Sequence, residues 1–311
     1  MINKDKSNLR LIYSDRLINI AKQNKKIVLL DSDSKEPLML EKFASIYPDR
    51  CFTFGIAEQD MVSAAGGMST YNLIPFVNSY GMFIAMRALD QVRNAIAYPN
   101  LNVKFIISHH GLDAGSDGIT HQLTEDVGIF RTIPNLKIMQ PADCIEMEQM
   151  VDYAVNEYGP MVIKVGKTKV PKIHNSSYKW KYGFPSLINK GEDYAIIGCG
   201  IMLEKAINAQ KKLIKKYSIN PTIINMSSFT EIDVDYFLSI TSNVKHIVTI
   251  EDHSINGGIG SIVSELMSFN KPIKISRIGL KSTFAECGDP DLLFRKYDMD
   301  EKAIINAIRD S

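Results

Sequence analysis

The stretch LIPFVNSYGMFIAMRALDQVRNAIAYPNLNVKFII, residues 73–107, decides the fold. Its ends, LIPFV (73–77) and VKFII (103–107), are short apolar runs rich in β-branched and aromatic residues, the pattern of buried strands. Between them, residues 81–97 carry apolar positions at helical spacing. A strand, a helix and a second strand of this size form a crossover unit, which makes the strands parallel and lays the helix on a face of the sheet. The alternation continues in both directions. IVLL (27–30), LKIM (136–139) and MVIKV (161–165) read as further strands, and Leu9–Ala21, 59–70 and Cys144–Asn156 as helices. A parallel sheet covered on both faces presents ligands at the carboxyl ends of its strands, so the loops that follow strands are where chemistry is expected.

From about Gly166 the pattern lapses into KTKVPKIHNSSYKWKYGFP, which has two prolines, clustered aromatics and neither a 3.6 nor a 2 residue period. Beyond it, YAIIGCG, PTIINM, KHIVTI and PIKISRI read as strands, interleaved with helices near 203–217, 233–240 and 258–268 and closed by a helix over 300–309. The expected class is α/β with two doubly wound domains, at 1–170 and 188–311, joined by a connector at 171–187. A chain of 311 residues is long enough for two such cores.

Thirty-six Lys and Arg against thirty-five Asp and Glu leave a formal charge of +1, so no net field draws the molecule to nucleic acid or an anionic membrane, and an anionic ligand must be caught locally. Cys51, Cys144, Cys199 and Cys287 form no CxxC pair, which argues against a zinc ribbon, a redox dithiol or a disulfide framework and predicts reduced thiols in cytoplasm. No run approaches the length of apolar residues that a membrane span needs.

Three segments carry candidate chemistry. SHHGLDAGSDGITHQ (108–122) follows the strand VKFII and holds three of the six histidines. It reads as a ligand-facing loop or as a solvated polar one, and His109 and His121 with Asp113 or Asp117 offer zinc-type donors. FGIAEQDMVSAAGGM (54–68) leads from a short strand into a helix whose start carries Glu58. An acidic residue there is also ordinary complementation of the helix terminus. In IPFVNSYGMFIAMRALDQVRN (74–94), Tyr80, Phe83 and Arg87 stand at i, i+3 and i+7 and would share one helical face, a stripe equally consistent with core; Asp90 could pair with Arg87 or Arg93.

Taken jointly and in this order, GIAEQ (55–59), the aromatic pair followed by RALDQ (87–91), and SHHGLDAGSDGITHQ with its DGxTHQ ending resemble the C-terminal halves of transketolases. The first two also occur in deoxyxylulose-phosphate synthases. IPNLKIMQPADCIE (133–146) and EDHSINGGIGSIVSEL (251–266) extend the similarity over essentially the whole chain. The resemblance implies a thiamine-pyrimidine-binding domain followed by a smaller transketolase C-terminal domain. It implies thiamine diphosphate as cofactor, with Glu58 bonding N1′ of the aminopyrimidine and sharing the proton that makes the 4′-amine a base. It further implies Tyr80 and Phe83 as an aromatic wall on the pyrimidine, with Arg87 behind it and Asp33 of LLDSDS at the cofactor's edge, although the two residues after Asp33 depart from the family pattern. His109, Asp117 and His121 match residues that line the substrate channel and bond donor hydroxyls.

Two departures shape the expectation. Where phosphate-ketose transketolases carry an arginine after the strand matching MVIKV, this chain has Lys167, a point charge without the bidentate fork, so whether the donor is phosphorylated, unphosphorylated or carries another anion stays open. The GDG followed by Asn that binds Mg²⁺ and the diphosphate does not occur, and residues 1–8 leave no room for the family's N-terminal domain. The resemblance therefore implies a partner chain holding Mg²⁺ and the diphosphate, an α2β2 assembly that also brings copies of this chain together, and ketol transfer from a sugar or sugar phosphate. The competing readings are the β-chain of a thiamine-dependent 2-oxoacid dehydrogenase, a deoxyxylulose-phosphate-type synthase, and a noncatalytic regulatory chain. DGxTHQ speaks against the dehydrogenase, and retention of Glu58 and the histidines against the regulatory chain.

Overall fold

The computed structural model describes residues 5–310 and divides into two compact units. The N-terminal unit comprises the chain up to His110 together with Ile129–Lys179; the C-terminal unit comprises Gly111–Gly128 and Trp180 onward.

The N-terminal unit is built on a six-stranded, all-parallel sheet in the order Cys51–Thr53, Ile27–Asp31, Ile74–Tyr80, Lys104–Ser108, Met161–Val165, Lys137–Met139. Ile27–Asp31, Lys104–Ser108 and Met161–Val165 are buried at every position, which is why they read as continuous apolar runs rather than alternating ones. Helices Leu9–Ala21 and Cys144–Asn156 have the bounds that the apolar spacing predicts, because both starts are capped. Asn8 accepts from the Arg10 amide, and Asp143 accepts from the Glu146 amide at 3.0 Å while Glu146 reaches back to the Ala142 amide at 2.8 Å, a capping box.

Residues 81–97 depart from the expected α-helix. They form two π-helical segments, Phe83–Arg87 and Gln91–Ala97, with amide bonds from Ala88 to the Phe83 carbonyl and from Tyr98 to that of Arg93. Tyr80 is the last residue of the strand Ile74–Tyr80, so Tyr80, Phe83 and Arg87 do not share a helical face. An α and a π turn bury the same kind of apolar stripe, and one extra residue per turn leaves no mark in the pattern. Arg87 pairs elsewhere, and Asp90 accepts from Asn94 rather than from an arginine.

The C-terminal unit has a five-stranded sheet in the order Lys274–Leu280, Val244–Ser254, Asp193–Gly198, Thr222–Asn225, Ser186–Asn189, parallel except for its last, antiparallel edge strand. That edge strand begins inside the stretch read as patternless connector, where it is too short and too exposed to show a period. The connector itself is tied down at each end. In the N-terminal unit, Asp143 Oδ2 accepts from the Ile173 and His174 amides at 2.8 and 2.7 Å, and the His174 and Tyr178 rings stack at 3.8 Å. In the C-terminal unit, Trp180 Nε1 donates to Ser227 Oγ at 2.9 Å.

Candidate functional site

The carboxyl edge of the six-stranded sheet gathers seven of the predicted residues. Asp33, Tyr80, His109 and Lys167 follow or end the strands closing at Asp31, Tyr80, Ser108 and Val165. Glu58 opens the helix Glu58–Thr70 just beyond the edge strand Cys51–Thr53, and Phe83 and Arg87 bound the first π segment.

Glu58 is 1% exposed, and its Oε2 accepts from Arg87 NH1 at 2.7 Å. A buried carboxylate is tolerable only when paired and hydrogen-bonded, and it also gains from the positive end of the helix it opens. Oε1 makes no hydrogen bond among the described residues. The Arg87 guanidinium lies 4.6 Å over the Phe83 ring, Phe83 stands edge-on to Tyr80 at 6.0 Å and 90°, and Tyr80 meets the His109 ring at 4.5 Å and 76°. One carboxylate oxygen is thus held by arginine, whose guanidinium continues into a run of rings, Phe83, Tyr80 and His109. A flat heteroaromatic base with a ring nitrogen that shares a proton fits these residues.

His109 is 2% exposed, takes φ +59° and has its Nδ1 2.9 Å from Ser108 Oγ. Asp33 is exposed at φ +60°, in a loop held from below. Asp31 Oδ1 accepts from the Ser34 amide at 2.6 Å, Ser32 and Ser79 hydroxyls meet at 2.7 Å, and the Tyr13 hydroxyl donates to Asn78 Oδ1 at 2.9 Å. Burial pushes the Tyr13 phenol far above its ordinary value. Asp31, Asn78 and Ser79 escaped the sequence reading, although a carboxylate or an amide inside a fully buried strand was the available signal. Arg10 escaped it too: from the first helix it donates to the carbonyls of Pro37 and Lys167, joining the Asp33 loop to the Lys167 turn.

Asp117 and His121 lie in the C-terminal unit, in Gly111–Gly128. Asp117 ends the short 3-10 stretch Leu112–Asp117 and is exposed; His121 is half-buried with Nδ1 3.0 Å from Thr120 Oγ1. The structure does not gather the zinc-type donors considered for this loop, since no group of three His, Cys, Asp or Glu able to hold a metal occurs among the described residues. No helix there is long and apolar enough to cross a membrane.

Comparison with known proteins places these features. Residues 5–172 match the transketolase pyrimidine-binding domain, and residues 186–304 the transketolase C-terminal domain. The chain is 32% identical over 303 residues to a putative transketolase C-terminal section of Methanocaldococcus jannaschii, covering 96% of this chain and 95% of that one. It is 31% identical over 299 residues to a 6-deoxy-6-sulfo-D-fructose transketolase subunit of a Clostridium species, covering 96% and 92%. Among solved structures it matches one described as a split gene transketolase, inactive beta4 tetramer, with a TM-score of 0.89, 33% identity and 97% of each chain covered.

Proposed function

Because this chain belongs to the transketolase family, whose members depend on thiamine diphosphate, we propose that it is the pyrimidine-binding half of a two-chain enzyme that moves a two-carbon ketol unit from a ketose donor to an aldose acceptor. The observation that carries this reading is the buried Glu58 carboxylate, held through one oxygen by Arg87 at 2.7 Å, whose guanidinium lies over the Phe83 ring of the Tyr80–Phe83 pair.

When bound, the cofactor supplies the carbon nucleophile that breaks and re-forms the ketose carbon–carbon bond. Glu58 holds a proton against the pyrimidine ring nitrogen through Oε1, while Arg87 keeps the carboxylate from rotating away. Tyr80 and Phe83, set at right angles, would line the pyrimidine, one by its face and the other by its edge, and keep water from it. Asp33 closes the cofactor's edge. His109, Asp117 and His121 bond donor hydroxyls and the oxygens that gain charge during transfer, and Lys167 attracts an anion at the far end of the donor. The relative named for a sulfo sugar supports an anion other than phosphate there, which a lysine accepts without the fork geometry of arginine.

The partner chain, an N-terminal transketolase subunit, carries Mg²⁺ and the diphosphate, and two copies of each chain make an α2β2 enzyme. Support comes from the relative named as a C-terminal section and from Ile56 and Met86, 74% and 48% exposed, which flank Glu58 and Arg87 and offer apolar surface for a covering chain. Retention of Glu58, Arg87 and both histidines favours this over a regulatory chain, and the DGITHQ run (117–122) over a 2-oxoacid dehydrogenase.

The test is Glu58→Gln in the reconstituted pair, on a panel of phosphorylated, sulfonated and neutral ketoses. Assembly and fold stay intact, and turnover falls about 100-fold or more, as for loss of a positioned proton-transfer group. Near-normal turnover in the assembled variant refutes the assignment.

A further inference from the structure

Residues 111–128 bring Asp117 and His121 into the C-terminal unit, and consecutive residues at the end of the strand Val244–Ser254 grip both feet of this loop. At the first foot, Asp252 accepts from two successive amides, Leu112 to Oδ1 at 2.7 Å and Asp113 to Oδ2 at 3.0 Å. Asp252 is 6% exposed, so its carboxylate is held where water does not replace those bonds. At the second foot the Ser254 amide donates to the Thr124 carbonyl at 2.7 Å, and buried His253 has Nε2 3.6 Å from Oδ1 of buried Asp126.

The approach is close enough to dictate sequence. Gly111 has φ +62°, and a Cβ there would stand 2.3 Å from the Asp252 carboxyl carbon. Between the feet the Gly288 amide donates to the Gly115 carbonyl at 3.3 Å and Gln122 Nε2 to the Glu286 carbonyl at 2.9 Å.

We propose that Asp252–His253–Ser254 is the positioning clamp of the 111–128 loop, so that the C-terminal unit serves catalysis by presenting Asp117 and His121. This rests on the role assigned above to His121. Asp252 itself is a positioning residue and touches no substrate. Hydrogen-bonding groups that act on a reacting centre lose about 100-fold in rate for a displacement near 1 Å, so a clamp at the feet governs the chemistry at the tip.

The experiment is Asp252→Asn, which keeps the shape but offers one acceptor and turns an amide against the other N–H. Amide hydrogen exchange on the full chain is expected to quicken about 10-fold or more at Leu112 and Asp113 and to stay unchanged in the helix Ile259–Asn270. With the partner chain present, kcat falls about 10 to 100-fold while the dissociation constant for thiamine diphosphate, set by the partner's diphosphate site together with Glu58, Tyr80 and Phe83, does not move. Gly111→Ala should give the same signature from the loop side, which covers the case in which Asp252→Asn folds poorly. Unchanged exchange at Leu112 and Asp113 overturns the clamp. Faster exchange with unchanged kcat overturns its service to the reaction, whereas a wild-type pair without ketol transfer refutes the functional reading and leaves the exchange result standing.

Discussion

Lys104 opens the strand that delivers His109, and replacing it by methionine probes a buried ammonium poised near neutrality. The side chain is fully buried, and Nζ donates to the Glu157 and Gly159 carbonyls at 2.8 and 2.7 Å, so it closes the end of the helix Cys144–Asn156. Burial pushes its pKa down to about 7; the charge of Glu157 opposes this and that of Lys137 adds to it. In the unfolded chain the value is about 10.4. Between these values the unfolded state binds the extra proton, so the penalty for Lys104 is fully present below the folded value and fades as pH rises toward the unfolded one. The slope is about 1.4 kcal/mol per pH unit, and because the folded group is half-protonated near pH 7, the gain from pH 7 to pH 9 is about 2 kcal/mol. Methionine does not titrate. It leaves two carbonyls unbonded, an offset of about 1–3 kcal/mol each that does not vary with pH. Urea unfolding of wild type and Lys104→Met at the two pH values, followed by far-UV circular dichroism, reads the difference; Trp180, the chain's one tryptophan, reports the C-terminal unit separately. The stability gap should shift by about 2 kcal/mol in favour of wild type at pH 9. A gap independent of pH refutes the poised ammonium.

Lys167→Ala should raise KM for an anionic donor with kcat little altered, whereas His121→Ala should lower kcat as well, because its bond forms to the reacting part of the sugar; equal effects of both variants on kcat would remove the distinction. Burial disfavours the charged His174 ring, but the Asp143 carboxylate, 3.2 Å from Nδ1, and the charge of Glu146 outweigh it and hold His174 above its ordinary value. The stability it lends to the connector is therefore complete below the unfolded value near about 6.5 and is lost as pH rises through the raised folded value. Tryptic cutting at Lys172 and Lys179, taken as a ratio to His174→Gln, should be slowest at pH 6 and converge on that of the variant in alkali; a flat ratio excludes the effect.

Where the sequence and the structure agree, the reason is local. Burial imposes its period on consecutive residues, so Met161–Val165 and Cys144–Asn156 could be bounded from spacing and caps alone, and a strand's end marks where ligands meet an α/β sheet. That placed Glu58, Tyr80, His109 and Lys167 along one edge, and the joint motifs named the family. Where they part, the deciding partner lies far along the chain. The π winding at Phe83–Arg87, the Glu58–Arg87 bond across 29 residues and the burial of Lys104 under a helix end are set by neighbours that periodicity does not name. The loop 111–128 sits within the stretch read as one domain, yet packs with the other unit. By itself the sequence determined most of the strands and helices and which residue types stand at the sheet's edge, but not the π winding at Phe83–Arg87 or the edge strand Ser186–Asn189. Only the tertiary structure decided which carboxylate meets which donor, as when Asp252 takes two amides across about 140 residues, because such pairing follows from chain topology and the need to satisfy buried charge, neither of which leaves a local pattern.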